Sequence, residues 1–414
     1  MIEETKTQNT TASKPQGFEG LGIHPKIMES LAVLHFKSPT PIQHKAIPVA
    51  IDGKDIIGIA QTGTGKTLAF GIPMVQRLST LSNKQGLVIL PTRELALQVQ
   101  ETLHKVFGKL GLRTAVLIGG ASMGLQTKNL RQNPNIIIAT PGRLNDHVAS
   151  RNLSLQNVAV LVLDEADHMF DMGFAPQIKK ILALLPKERQ TLLFSATMPH
   201  EILKVATTYM ALPLRFEIAP QGTTAEKVEH ELFFVQKEQR MPLLKKILSE
   251  SQGSILLFSR TKHGATKICR QLVDQNISAT EIHSNKSLNQ RTNALSGFKS
   301  GRYRVLVATD IASRGIDVKG LSMVINYDLP ESASDYVHRI GRTGRAGLAG
   351  KAISFATHDQ RSKVREIERL IRYVIPVSHP TGIVAEPHIP QKKYVHTNYA
   401  PPRNKLRRNF HKKY

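Results

Sequence analysis

From residue 17 onward the chain alternates between short, almost wholly apolar runs and longer stretches where apolar and polar residues recur at helical spacing. Six apolar runs come first, at 56–60, 87–90, 115–118, 136–139, 158–163 and 191–194. Runs this short, with no polar residue at every second position, predict strands buried on both faces, as in a parallel sheet. Parallel neighbours need crossovers, which the intervening helical stretches supply and which are right-handed as a rule. The first half is therefore predicted to be a doubly wound α/β domain. Around 219–225 the pattern lapses into a linker containing Pro, Gly and Thr. A second series predicts strands at 231–235, 255–258, 280–282, 304–308, 323–326 and 352–355. The expected division is a polar, disordered segment 1–16, a first domain 17–218, a linker 219–226, a second domain 227–372 and a tail 373–414.

Composition narrows the class. Of 414 residues 41% are hydrophobic and 21% charged, with 28 Gly and 22 Pro. These globular proportions exclude collagen-like, wholly disordered and coiled-coil chains. The apolar runs are far shorter than the roughly 18 residues of a membrane helix. The N-terminus has Glu3 and Glu4 and no apolar core, unlike a signal peptide. A single cysteine, Cys269, allows no internal disulfide and no cysteine-based metal site, which fits a reducing cytoplasm. It lies in a helical stretch and reads as a small buried apolar residue.

Charge changes the picture more. Lys and Arg total 56 against 32 acids, a net +24, which favours a polyanionic partner. No basic amphipathic helix with an aromatic apolar face stands out, so nucleic acid is favoured over a membrane surface. The tail holds eight Lys/Arg, one acid and six prolines, leaving 48 Lys/Arg and 31 acids in the rest. The folded body is basic in its own right. The tail, with Tyr394, Tyr399 and Tyr414, reads either as a solvated extension or as a nonspecific nucleic-acid tether with rings for base stacking.

The strongest local signal is AQTGTGKT, residues 60–67, between a predicted strand and a predicted helix. Ala60, Gln61, Thr62, Gly63, Thr64 and Gly65 form a loop whose N–H groups can turn inward around a phosphate, since glycine puts no Cβ in the way. Lys66 supplies charge to β- and γ-phosphates, and Thr67 a hydroxyl for Mg²⁺. The run 158–163 then delivers Asp164-Glu165-Ala166-Asp167 at a strand's carboxyl end, where open α/β sheets place their ligands. Asp164 suits a Mg²⁺ held through water, and Glu165 suits the base that orients or deprotonates an attacking water. Acids in a turn are common; paired with a phosphate loop they are a strong signal.

Through these and other short motifs, in order from Phe18 to Arg345, the chain resembles the DEAD-box ATP-dependent RNA helicases. The resemblance implies two tandem RecA-like domains, each a doubly wound parallel sheet, with a cleft between them and with ATP and Mg²⁺ as cofactors. Phe18 and PTPIQ (39–43) look like the Q motif, which implies that Phe18 stacks on adenine and Gln43 reads its edge. A carboxamide offers the donor–acceptor pair this needs. PTREL (91–95), Gly119-Gly120 and TPGR (140–143) resemble segments that hold the RNA backbone, implying Arg93, Gly120, Thr140 and Arg143 as contacts. Ser195-Ala196-Thr197 resembles the motif coupling ATP state to RNA affinity, through Ser195 and Thr197; by itself it also reads as a helix N-cap.

In the second half, TDIASRGID (309–317) and HRIGRTGR (338–345) imply that Arg342 and Arg345 reach the γ-phosphate as arginine fingers and that Asp317 binds ribose. Arg260 and Thr309 resemble RNA-contacting positions. One segment departs: HSNKSLNQR (283–291) has Ser284 where the family has Gly and Leu288 where it has Gln, while Arg291 remains. DHMFDMGF (167–174) and the short basic tail look most like the bacterial RhlE-type branch. The function implied is an RNA-dependent ATPase that locally unwinds short RNA duplexes with little sequence preference. An ATP-gated RNA clamp or ribonucleoprotein scaffold is the alternative, and a DNA translocase is disfavoured by the Q motif and the DEAD tetrad. Ribosome-assembly or RNA-decay complexes stay open as partners; a membrane is not expected.

Overall fold

The computed structural model describes residues 17–61, 63–218, 228–310, 321–344 and 350–379. Strands β1 (Ile56–Ile59), β2 (Gln85–Ile89), β3 (Thr114–Leu117), β4 (Ile136–Ala139), β5 (Val158–Leu163), β6 (Gln190–Ser195) and β7 (Leu214–Glu217) form one sheet. Its order is β3-β4-β2-β5-β6-β1-β7. Strands β8 (Val228–Phe234), β9 (Ile255–Phe258), β10 (Ala279–Ile282), β11 (Val305–Ala308), β12 (Met323–Asn326) and β13 (Gly350–Ala356) form a second, ordered β10-β11-β9-β12-β13-β8. Every pairing in both sheets is parallel. The two doubly wound α/β lobes expected from the sequence are both present.

The apolar runs follow from burial on two faces. Ile56, Val88, Val160, Val162 and Phe194 join one core, while Ile57, Leu87, Leu161, Leu163 and Leu193 join the core across the sheet. Helices Lys66–Thr80 and Arg93–Phe107 close the first face. Ala175–Leu184 and His200–Tyr209 close the second. With helices on both sides no strand position can be polar cheaply, and alternation disappears from the sequence.

Twelve of the thirteen strands among the described residues overlap predicted runs. The exception is β7, an edge strand reading Leu-Arg-Phe-Glu that is mostly exposed and pairs only with β1 there. Its polar residues and shortness hid it. The expected linker falls largely outside the described residues.

The sheet is tightest where β1 passes β6. A Cβ built on Gly58 would lie 2.6 Å from Phe194 Cδ1 and 3.3 Å from Ile42 Cδ1. Both neighbours are fully buried core residues. Gly58→Ala is therefore expected to destabilise the first lobe by about 1–3 kcal/mol, the cost of overpacking a filled core. Urea unfolding of the variant beside the wild type measures it.

The second lobe runs further than expected. Tyr373 onward is assigned to an unpacked tail by sequence, yet Ile375 is buried against helix Arg361–Ile371 and Leu232. Leu232 N–H donates to Pro376 O at 2.9 Å and Ser378 N–H to Leu232 O at 2.8 Å, forming a parallel bridge between Leu232 and Val377. The prolines and charges that mark the tail as unable to pack lie mostly beyond this apolar segment, Val374 to Val377. The basic remainder, 380–414, falls outside the described residues, as does 1–16. Cys269 is buried in the second lobe's core, and burial pushes its thiol up to about 11, as expected of a packing residue.

Candidate active site

Strand order explains how distant motifs meet. β5, β6 and β1 are neighbours in the first sheet, so the loops leaving their carboxyl ends converge. β1 is followed by Ala60, whose N–H donates to Ser195 O at 2.9 Å. The loop that follows turns through Gly63 (φ +85°) and Gly65 (φ +92°), conformations that favour glycine. Thr64 Oγ1 donates to Gln61 O at 2.7 Å, and helix Lys66–Thr80 starts directly after Gly65. A loop of N–H groups at a helix N-terminus is a ready anion site.

Gln43 braces this loop. Its Nε2 donates to Gly65 O at 3.0 Å and its Oε1 accepts from Thr40 N–H at 2.9 Å. A side chain at Gly65 would collide with that carboxamide. Phe18 is placed differently from expectation: at 4% exposure it packs into the core with Leu21, Ile27 and Leu31, and its faces are covered. The aromatic ring beside Gln43 in the cleft is Phe36, 40% exposed. Sequence reasoning missed it, although it stands directly ahead of the Pro39–Gln43 segment.

Lys66 and the acids form a buried cluster. Lys66 Nζ lies 3.3 Å from Asp164 Oδ1. Burial alone would favour the neutral amine, but Asp164, Glu165 and Asp167 together outweigh it and raise the Lys66 pKa. Glu165 sits at φ +53°, a strained left-handed conformation for a residue other than glycine. Burial would raise its carboxyl, yet His168, Lys66 and Arg342 hold it well below the usual range, so it stays ionised near neutrality. Asp167 Oδ2 accepts from Ala196 N–H at 3.1 Å, Thr197 N–H at 2.8 Å and Thr197 Oγ1 at 3.0 Å, while Ser195 Oγ accepts from Asp167 N–H at 3.1 Å. The Ser-Ala-Thr segment is thus locked to the acidic tetrad rather than merely capping a helix.

The second lobe reaches this cluster. Arg342 is buried and acts electrostatically on Glu165. His338 packs on His168, ring centroids 4.4 Å apart. Arg339, in the same 338–345 segment, is spent within its own lobe. It pairs with Asp310 (Nη2 to Oδ2, 2.7 Å) and stacks on Phe258 at 4.7 Å. A further contact lies nearby: Arg291 Nη2 donates to Glu94 Oε2 at 2.7 Å across the two lobes, and Leu288 packs against the first lobe's core. The Leu288 departure thus makes an apolar contact between lobes. A cavity of about 640 Å³ opens beside the loop, lined by Phe36, Gln43, Gly65, Lys66, Thr67, Asp164 and Glu165, with Lys299 from the second lobe.

The other candidates gather in two patches. On the first lobe, the Arg93 guanidinium lies against Gly119 and Gly120, where a Cβ on Gly119 would come within 3.2 Å of Arg93 Nη2. Arg143 Nη1 donates to Ala121 O at 2.9 Å, and Thr140 begins helix Pro141–Ala149. On the second lobe, Arg260 and Thr309 follow the adjacent strands β9 and β11. Arg260 is exposed and Nε lies 3.2 Å from Glu331 Oε1. Thr62, Asp317 and Arg345 lie outside the described residues.

Fold and site together define a two-lobed α/β protein whose one phosphate loop faces acids and a cross-lobe arginine. The pattern described as DEAD/DEAH box helicase matches residues 40–205, and that of the helicase conserved C-terminal domain matches 239–347. The ATP-dependent RNA helicase CshA of Listeria monocytogenes is 42% identical over 367 residues, covering 88% of this chain and 71% of its own length. The DEAD-box ATP-dependent RNA helicase CshA of Bacillus subtilis is 42% identical over 354 residues, covering 85% and 72%. Among solved structures, S. cerevisiae Dbp5 bound to RNA and ADP BeF3 superposes with a TM-score of 0.78 at 28% identity, covering 88% of this chain and 95% of its own. Mss116p bound to ssRNA and AMP-PNP gives 0.82 at 27%, covering 91% and 82%. The chain belongs to the DEAD/DEAH box helicase family.

Proposed function

We propose that this protein is an RNA-dependent ATPase that locally separates short RNA duplexes. The observation that carries the reading is the join between the lobes: Arg342 of the second faces Glu165 of the first, beside Lys66 and the phosphate loop. One nucleotide site then needs both lobes, so ATP can drive their closure. The relatives named as ATP-dependent RNA helicases, and the similar structures holding RNA with nucleotide analogues, support the same reading. The two relatives matched by sequence carry the name CshA and lend no support to the RhlE-type branch.

In this reading the first lobe, 17–218, binds ATP. Loop N–H groups and Lys66 hold its phosphates, Gln43 keeps the loop in shape and Phe36 offers the adenine a ring in place of the buried Phe18. Thr67 and Asp164 are hard oxygen donors of the kind Mg²⁺ prefers, and Lys66 Nζ, buried with Asp164 Oδ1 at 3.3 Å, puts a positive charge where phosphate charge belongs. A nucleotide-borne Mg²⁺ would neutralise phosphate charge there. Glu165 orients the attacking water and accepts its proton, and Arg342, with Arg345, stabilises the charge that develops. The second lobe, 227–372 extended to 379, carries Asp317 for the ribose. Arg93, Gly120, Thr140 and Arg143 with Arg260 and Thr309 hold one RNA strand by its backbone. A bend in that strand is incompatible with an A-form duplex, and the partner strand leaves.

Glu165→Gln tests the reading. It keeps the size of the side chain but removes the base, so ATP and RNA should bind with near-normal affinity while turnover falls about 10²–10⁴-fold. Fluorescent-nucleotide titration beside steady-state hydrolysis separates the two. Loss of ATP binding would make Glu165 a ligand or structural residue and sink its assignment as the base.

A further inference from the structure

One side chain beside the base has no part in the reading above. His168 lies one turn beyond Glu165, in helix Ala166–Asp171, and is almost wholly buried. Its Nδ1 is 2.8 Å from Glu165 Oε2. The opposite nitrogen, Nε2, is buried with no hydrogen-bond partner among the described residues. Against the ring lies His338 of the second lobe, edge-on at an interplanar angle of 64°.

A residue needed here only to fill space would be apolar, because a buried polar atom without a partner is destabilising. The imidazole is explained by its other nitrogen. An ionised carboxylate can only accept, so Nδ1 carries the hydrogen and donates it to Glu165. That bond ties the end of a side chain whose own backbone is already fixed in the left-handed region. His338 holds the ring from the other lobe. The contact exists only where the lobes meet.

We infer that His168, wedged between Glu165 and His338, is the positioning residue of the base: its Nδ1–H keeps the Glu165 carboxylate in one orientation in the cleft, and His338 steadies the ring when the lobes close. The inference rests on Glu165 being the base. Closure would then do two things at once, bringing Arg342 over the site and fixing the base beneath it.

Two substitutions divide the ring from its donor. His168→Phe keeps the volume and the packing on His338 but has no N–H. His168→Asn gives up the ring but can place a side-chain N–H near the Nδ1 position. Steady-state hydrolysis at saturating RNA gives kcat and the KM for ATP of each. The Phe variant is expected to lose about 10²-fold in kcat, the scale of loss for a misplaced catalytic group, with the KM for ATP little changed. The Asn variant should regain about tenfold of that loss. A residue with a merely structural role gives the reverse order, Phe near wild type and Asn impaired, and that result overturns the inference. Equal kcat for the two variants, or a loss confined to KM, overturns it as well. A Glu165→Gln variant as fast as wild type, or a wild-type chain that hydrolyses no ATP with RNA, would instead remove the base or the function on which the inference stands.

Discussion

Arg342→Ala is expected to lower ATP turnover about 10³–10⁵-fold at saturating ATP and RNA, the contribution arginine fingers make in related phosphoryl-transfer systems. The guanidinium sits on the second lobe, is buried, and acts electrostatically on Glu165 of the first. If it acts from that lobe on the charge that develops, it should not help ATP into the first lobe, and the affinity for nucleotide in the absence of RNA should barely change. Arg342→Lys should recover little, because a point charge does not reproduce the planar fork. Single-turnover hydrolysis with RNA, set beside nucleotide binding without it, makes the comparison. A variant that loses ATP binding but turns over normally at saturation would contradict a finger acting across the cleft.

Lys66→Ala should remove RNA-stimulated ATP turnover altogether, since it deletes the loop's fixed positive charge. It should also weaken the first lobe. Lys66 and Asp164 are each about 5% exposed or less, and leaving one member of a buried pair alone costs up to about 3–5 kcal/mol. The sign with pH follows. Burial and Glu165 hold the folded Asp164 carboxyl above its ordinary value even with Lys66 beside it, and losing Lys66 raises it further. The penalty is then largest where the unfolded carboxyl is ionised, and it shrinks as pH falls and Asp164 takes a proton. Thermal melts of both proteins at neutral and mildly acidic pH should show the gap narrowing on acidification. Near-normal hydrolysis by the variant would sink the nucleotide-site assignment.

The sequence was most legible where one residue type has one physical use. Gly63, Gly65 and Lys66 leave little choice of structure, and runs such as 158–163 have nowhere to go but a covered sheet. Legibility failed where the environment decides. Phe18 and Phe36 are both aromatics ahead of Gln43, and only packing shows that one fills the core while the other faces the cleft. β7 alternates with polar residues because it is an edge strand with most of its surface uncovered. Ile375 to Ser378 were swept into the tail because prolines and charges further on dominate any average over the segment. His168 followed a recognisable tetrad and still gave no signal, because its partner stands 170 positions away on another lobe.

The ion pair between Arg291 and Glu94 has a different bearing. Two charges taken out of water lose hydration about as large as the attraction they gain, so such a pair adds little net adhesion, while a mismatched arrangement that strands either charge is heavily penalised. The joint thus behaves as a detent. It favours the alignment in which Arg291 meets Glu94, and it returns both charges to solvent at small cost when the lobes separate, which suits a machine that lets go after every turnover.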